Sequence, residues 1–302
     1  LGNVLSGMSL KPDFVFDSKD PQTKLDYIHR KAANADIYLV VNRFARKGIN
    51  DTEYRYLTDL PDRYESVECS FRVPAGSKPS LWNPVTGEIS AVSNYKEENG
   101  RTIVALELIP EGSVFVVFSK TIPSIAAKKT VSPLILSSSK PLSPKWTLRF
   151  TPQMGTPETI ETEELKSLTD FSEENIRYYS GKVTYSATFT LTGRERSSRN
   201  IVLDLGNLHE MAMVRLNGKQ IDGLLWQPPY ILNITDAIRK GANSLEIDVY
   251  NLWPNRLIGD GKLPPDKRFT RTNIEKFDAS GADTLLRISG LLGPVNLKFY
   301  EK

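Results

Sequence analysis

The chain has 302 residues, of which 39% are hydrophobic and 25% charged, and its 39 basic and 36 acidic residues leave a formal net charge of +3. That length has room for two domains and that composition suits compact cores. The near-balanced charge, with no basic face carrying interleaved aromatics, speaks against nucleic acid. The longest apolar runs, SVFVVF and IYLVV, are strand-sized and too short for a bilayer.

The single cysteine, Cys69, excludes an intrachain disulfide and a cysteine-built metal site. Within the alternating SVECSFRV it is expected as a buried strand thiol. Neither histidine, His29 nor His209, has metal-ligand spacing, so a Ser/His/Asp or Cys/His set has little to draw on. His29 in YIHRK is expected as a hydrogen-bonded packing residue. The chain opens Leu1-Gly2-Asn3, with no starting methionine and no charged-then-apolar leader, as expected of a processed chain or a fragment.

Residues 1–35 are a mixed stretch, including PQTKLDYIHRKAANAD, that reads as a helical turn or a lead-in segment. From Asp36 the pattern turns to β: DIYLVVN, SVECSFRV, KPSLWNPVTGEIS, TIVALELIP and SVFVVFSK are short β-branched or aromatic runs separated by Gly, Pro, Asn and Asp. That is the pattern of a sandwich, placed at 36–118. NPVTGE is a turn with Pro at a corner and Gly where positive φ is needed, and Trp82 just before it is expected in the core. Residues 119–145, rich in Ser, Lys and Pro, read as a linker, with PLILS able to add to a sheet edge.

A second β block is placed at 146–302. In its acidic stretch, Leu165, Leu168 and Phe171 fall at i, i+3 and i+6, which predicts a short surface helix or ordered loop. KVTYSATFTL, RNIVLDLG, MAMVRLNGKQID, YILNITDAI, NSLEIDVYNLW, TLLRISG and GPVNLKFYE follow. LNGK is an Asn-Gly hairpin. No helix is long enough to alternate with these strands, so no parallel α/β barrel is encoded. The expected fold class is all-β, a β-sandwich followed by a jelly-roll sandwich.

NLWPNRLIGDG, residues 251–261, holds more chemistry than a turn requires. Trp253 offers a face for the C–H side of a pyranose, and Asn255, Arg256 and Asp260 offer planar groups for vicinal hydroxyls. Two readings stay open: a sugar site, or a brace in which Arg256 pairs with Asp260 and Trp253 caps the core. In LLWQPPY, Trp226 and Tyr230 flank a stiff Pro-Pro pair, either as an aromatic platform or as packing beside an edge strand.

The order YYSGKVTYSATFTL, IVLDLGNLHEMAMVRLNGKQIDG, PPYILNITDAIRKGANSLEIDVYNLW resembles the sugar-binding, galactose-binding-like jelly roll of family 2 glycoside hydrolases. NLWPNRLIGD, LPPDKRFT and SGLLGPVNL, with KPDFVF, IHRKAANADIYLVVN, LWNPVTGEIS and EGSVFVVF upstream, resemble the C-terminal region of family 106 α-L-rhamnosidases. That resemblance covers nearly the whole chain. It implies that the catalytic carboxylates, with a calcium ion beside them, belong to an N-terminal (β/α)8 barrel, which nothing here matches. It further implies a carbohydrate partner, plant or microbial and rhamnose-containing in the family's pattern, and a periplasmic or secreted location. Relatives of this jelly roll lean the loop equivalent to 251–261 over the barrel's active site. Jelly rolls often hold structural calcium, but the dispersed acids suggest no ligand set. Three readings follow: the accessory half of a glycosidase, a free-standing carbohydrate-binding pair, or a structural β protein without a sugar site.

Overall fold

The computed structural model describes residues 7–8, 11–43, 63–120, 135–142, 144–151, 156–198, 200–221, 223–271 and 286–301. The chain divides into two compact units, Leu1–Val131 and Ser132–Lys302. Among the described residues no helix is long and apolar enough to cross a membrane.

In the first unit the strands are β1 (Phe14–Asp17), β2 (Leu25–Ala32), β3 (Ala35–Asn42), β4 (Glu65–Phe71), β5 (Lys78–Trp82), β6 (Ile89–Ala91), β7 (Tyr95–Glu98), β8 (Arg101–Leu108) and β9 (Ser113–Ser119). They form two antiparallel sheets, ordered β1-β4-β8-β7 and β2-β3-β9-β5-β6. Strict alternation explains the layering: every second residue of β3, from Asp36 to Asn42, is buried, and β8 repeats the pattern. Tyr38, Val40, Val116 and Phe118 from one sheet meet Phe14, Val67, Cys69, Phe71, Val104 and Leu106 from the other. Cys69 is a buried strand thiol as expected, its pKa pushed up to about 12 by burial.

The sandwich begins earlier than its alternation suggested. Residues 1–35, expected as a lead-in, contain β1 and β2. β2 escaped notice because it is an edge strand whose residues are half-buried or exposed on both faces, so its sequence carries charges a central strand would exclude. His29 on β2 is the packing histidine expected. Its ring stacks on Tyr38 at 4.0 Å, with Nε2 2.9 Å from Asp36 and Nδ1 3.3 Å from Asp13.

The second unit contains β10 (Ile135–Pro141), β11 (Trp146–Phe150), β12 (Thr159–Thr162), β13 (Lys182–Leu191), β14 (Asn200–Asp204), β15 (Asn207–His209), β16 (Met211–Leu216), β17 (Lys219–Gln220), β18 (Ile231–Asn233), β19 (Gly241–Tyr250), β20 (Gly290–Gly293) and β21 (Asn296–Glu301). A six-stranded sheet, β12-β11-β13-β19-β16-β17, and a four-stranded sheet, β10-β21-β14-β18, are joined by the ribbon β15-β20. Leu148, Tyr185, Val214, Ile247 and Val249 of the first face Ile201, Leu203, Leu297 and Phe299 of the second in one core. This is the all-β architecture the sequence predicts.

Part of the expected linker is therefore sheet: β10 pairs with β21 along its length, while residues 121–134 lie outside the described residues. LNGK is a hairpin with Asn217 and Gly218 both at positive φ, 54° and 77°, the combination a two-residue turn between twisted strands requires. The acidic stretch is an ordered loop with two short helical turns, Leu168–Asp170 and Glu174–Arg177. Leu168 enters the core, and Leu165 and Phe171 pack beside it.

Candidate functional site

Strand pairing brings the chemistry-bearing loops to one end of the second unit. Met211, at the start of β16, and Lys182, at the start of β13, both pair with Tyr250 at the end of β19. The loop after Tyr250, the segment before β13 and the β15–β16 junction therefore share that end. LLWQPPY joins them, because Leu225 bridges Ala212 and the Tyr230 hydroxyl donates to the Glu210 carbonyl at 3.3 Å.

Asn251 ties the end together. Its side-chain oxygen accepts from the Gly181 amide at 2.7 Å, and its amide group donates to the Tyr179 carbonyl and the Ser289 hydroxyl, each at 2.8 Å. A single side chain thus joins three segments that are distant in sequence, which composition alone gives no means of detecting.

The stretch 251–261, a loop on its sequence, contains the helix Pro254–Gly261, with Pro at N1 and Trp253 as N-cap. Pro fits there because the first turn has amide donors to spare and needs φ near −65°. The helix seats on Tyr178, with Ile258 and Leu286 packed beside that ring. Gly259 permits the close approach: a Cβ there would lie 2.6 Å from the Tyr178 ring and 2.5 Å from an Arg256 nitrogen.

The six residues expected to contact sugar separate into two groups. Trp253 is 59% exposed and Trp226 48% exposed, so both indoles reach solvent, and Trp253 does not cap the core. Tyr230 is half-buried against the core, with its hydroxyl engaged as above. Asn255, Arg256 and Asp260 are turned inward and buried. Asn255 forms a reciprocal pair with the Arg287 backbone, donating to its carbonyl at 2.7 Å and accepting from its amide at 2.8 Å. Arg256 lies 3.0 Å from Asp260 across one helical turn, with its guanidinium 4.9 Å from the Phe269 ring centroid. The other Asp260 oxygen accepts the Thr270 amide at 2.7 Å.

The three residues with the richest hydrogen-bonding chemistry thus form a brace, one of the two arrangements the sequence left open, and none of the three turns its side chain to solvent. They are buried because a short helix at a sandwich end needs polar anchors on both sides. The Arg256–Asp260 contact is mainly Coulombic, since Asp260 Oδ1 and Arg256 Nε meet no partner in hydrogen-bond geometry. Burial lowers the Arg256 pKa, with the Asp260 charge opposing it. Pairing of the two charges is what permits both inside.

A second polar cluster lies on the outward face of the six-stranded sheet. Asp248 accepts from Thr184 at 2.6 Å and from Arg215 at 2.8 and 3.2 Å, while Arg215 also donates to Glu246 at 2.7 Å. Burial pushes the Asp248 carboxyl up, but the Arg215 and Thr184 hydrogen bonds and the Lys182 charge outweigh it, leaving its pKa below the ordinary value. Among the described residues the other displaced carboxyls, Asp13, Glu173 and Glu195, also go down. A glycosidase general acid needs the opposite displacement. Among the described residues no three His, Cys, Asp or Glu side chains are grouped to hold a metal.

With this geometry in place, comparison with known proteins adds the following. Residues 161–275 match the family model of the glycosyl hydrolase 2 galactose-binding domain-like family. The structure of a rhamnosidase from Novosphingobium sp. PP1Y matches with a TM-score of 0.74 and 34% identity, covering 98% of this chain and 26% of that one. A Formosa agariphila protein named "Putative beta-glucuronidase" is 33% identical over 200 residues, 59% of this chain and 17% of that protein. The chain thus spans roughly a quarter or less of the length of these relatives.

Proposed function

We propose that this chain is the accessory, carbohydrate-facing portion of a longer α-L-rhamnosidase-like glycoside hydrolase working outside the cytoplasm. On this reading a (β/α)8 domain elsewhere in the polypeptide carries the acid and base, and the galactose-binding-like domain helps to hold the glycan. The observation that carries it is the rhamnosidase match, which runs through both units at 34% identity yet covers only 26% of that enzyme.

Within the site, Trp253 and Trp226 are the sugar-stacking faces, and Asn255, Arg256 and Asp260 fix the helix that presents Trp253. The open indoles also support a free-standing carbohydrate-binding module, so the test must separate the two readings. An antibody raised against the chain is used to size the native protein in its source. A species exceeding 33.9 kDa by a barrel of about 250 residues is expected, and one of the chain's own size would move the binding-module reading to first place.

In either case Trp253→Ala and Trp226→Ala are each expected to weaken binding of rhamnose-containing oligosaccharides about tenfold by calorimetry. That corresponds to roughly 1.4 kcal/mol, with thermal stability kept because both side chains are exposed. Unchanged affinity in both variants would refute the stacking role.

A further inference from the structure

The sequence holds two Asn-Gly dipeptides, Asn99-Gly100 and Asn217-Gly218, and the fold sets both in the same kind of turn. Asn99-Gly100 joins β7 to β8 beside the closing pair Glu98 and Arg101. Asn217-Gly218 joins β16 to β17 beside Leu216 and Lys219. Every residue of the two dipeptides has positive φ, 52° and 72° in the first turn and 54° and 77° in the second. That is the mirror-image two-residue turn, which glycine adopts freely and asparagine tolerates. In sequence and in backbone the two are alike.

Their side chains are not. The Asn217 nitrogen donates to the Ala237 carbonyl and to Asn243 Oδ1, each at 2.9 Å, and the Asn217 oxygen accepts from the Ser244 amide at 3.1 Å. Asn243 is itself buried and exchanges hydrogen bonds with the Arg239 backbone, so the anchor is firm. Asn99 is exposed. Among the described residues its amide makes one long contact, 3.4 Å to the carboxylate of the neighbouring Glu98. A Cβ on Gly100 would meet nothing within 4 Å, so the space beside this turn is open.

We propose that Asn99 is a site of spontaneous modification, deamidating through a cyclic imide, and that the fold shields Asn217 from the same reaction. The Gly100 backbone nitrogen gives its proton to solvent and forms a bond to Asn99 Cγ. The Cγ–Nδ2 bond breaks, and Nδ2 takes a proton from solvent and leaves as ammonia. Water then opens the imide at either carbonyl, giving aspartate or isoaspartate, with no oxidant, reductant or enzyme required. Ring closure needs the asparagine side chain to swing until Cγ meets the following nitrogen, and a following residue with no Cβ to obstruct it. Asn99 makes that swing by giving up one exposed contact. Asn217 has three hydrogen bonds to release, each favouring its resting rotamer. Either product places a new carboxylate next to Glu97 and Glu98. In isoaspartate the main chain also gains a methylene, which disturbs a two-residue turn whose strand β7 has β8 as its one neighbour in the sheet.

The test is peptide mapping by mass spectrometry of the 302-residue chain, incubated at mildly alkaline pH both folded in buffer and unfolded in guanidinium chloride. Conversion of asparagine to aspartate or isoaspartate is followed at positions 99 and 217. In the folded chain Asn99 is expected to convert at least about tenfold faster than Asn217, a difference of about 1.4 kcal/mol in barrier height. In guanidinium chloride the two rates are expected to converge, because neither side chain then has its folded surroundings. Equal rates in the folded chain, or a faster Asn217, overturn the shielding. An Asn99 that stays intact in the folded chain while the unfolded chain reacts overturns the site. A gap that persists unchanged in guanidinium chloride assigns the difference to the flanking residues and overturns the role of the fold.

Discussion

Burial decides, residue by residue, which side chains of the jelly-roll end can meet a ligand. Arg256 and Asp260 are a buried ion pair, and removing one partner of such a pair leaves an uncompensated charge, costing about 3–5 kcal/mol. Arg256→Met and Asp260→Asn are each expected to lower stability by about that amount. The double variant is expected to cost well under the sum, measured by urea denaturation; strict additivity would show that the charges are not coupled. Asp248 gives a pH-dependent counterpart. Its folded pKa is depressed, so the stability it contributes is present above the ordinary aspartate value of about 3.9 and is lost as pH falls through the folded value. Asp248→Asn is therefore expected to be less stable than the parent chain at pH 7, with the gap closing between about pH 5 and pH 2. A gap that stayed constant across that range would mean the Arg215 contact does not depend on the carboxylate charge.

At the level of elements, what was legible in the sequence was whatever repeats with period two or uses turn chemistry. β3, β4, β8 and β16 alternate cleanly in burial, and Asn217-Gly218 names its own hairpin. β1 and β2 were missed, and β10 was legible only as PLILS adding to a sheet edge, because edge strands need only one paired side and tolerate Lys, Ser and Pro. NLWPNRLIGDG reads as a loop for a related reason. Its helical periodicity is interrupted by Gly, Asp and Pro, and the helix is held by Asn255, Arg287 and Tyr178 rather than by an apolar stripe of its own. Trp82, expected in the core, pairs with Phe115 and Ile89 on the outer side of its sheet; an indole beside a tight turn has the same local pattern on either face. Gly259 tests the account of the helix. A Cβ there meets the Tyr178 ring, a contact that overpacks the seat and cannot be relieved by a flexible side-chain end. Gly259→Ala is expected to destabilise by about 1–3 kcal/mol and to change Trp253 fluorescence, although Ala is intrinsically the better helix former by about 1 kcal/mol. A stabilised variant would show that the helix is free to slide on Tyr178.

Over the whole molecule, each unit closes a core of its own. Phe71 is fully buried in the first, among Phe14, Tyr38 and Phe118, and Phe150 in the second, edge-on to Tyr179 at 5.0 Å. No residue of one cluster belongs to the other, so a cavity cut in one core removes contacts from that unit alone. Phe→Ala in a packed core costs about 3–5 kcal/mol, a large fraction of a domain's total stability. Phe71→Ala is expected to move a lower-temperature calorimetric transition and leave a second in place, and Phe150→Ala to move the other. A single transition displaced equally by both substitutions would mean that the units unfold as one, with stability shared across the chain. Two separable transitions would fit two β units that each fold on their own core.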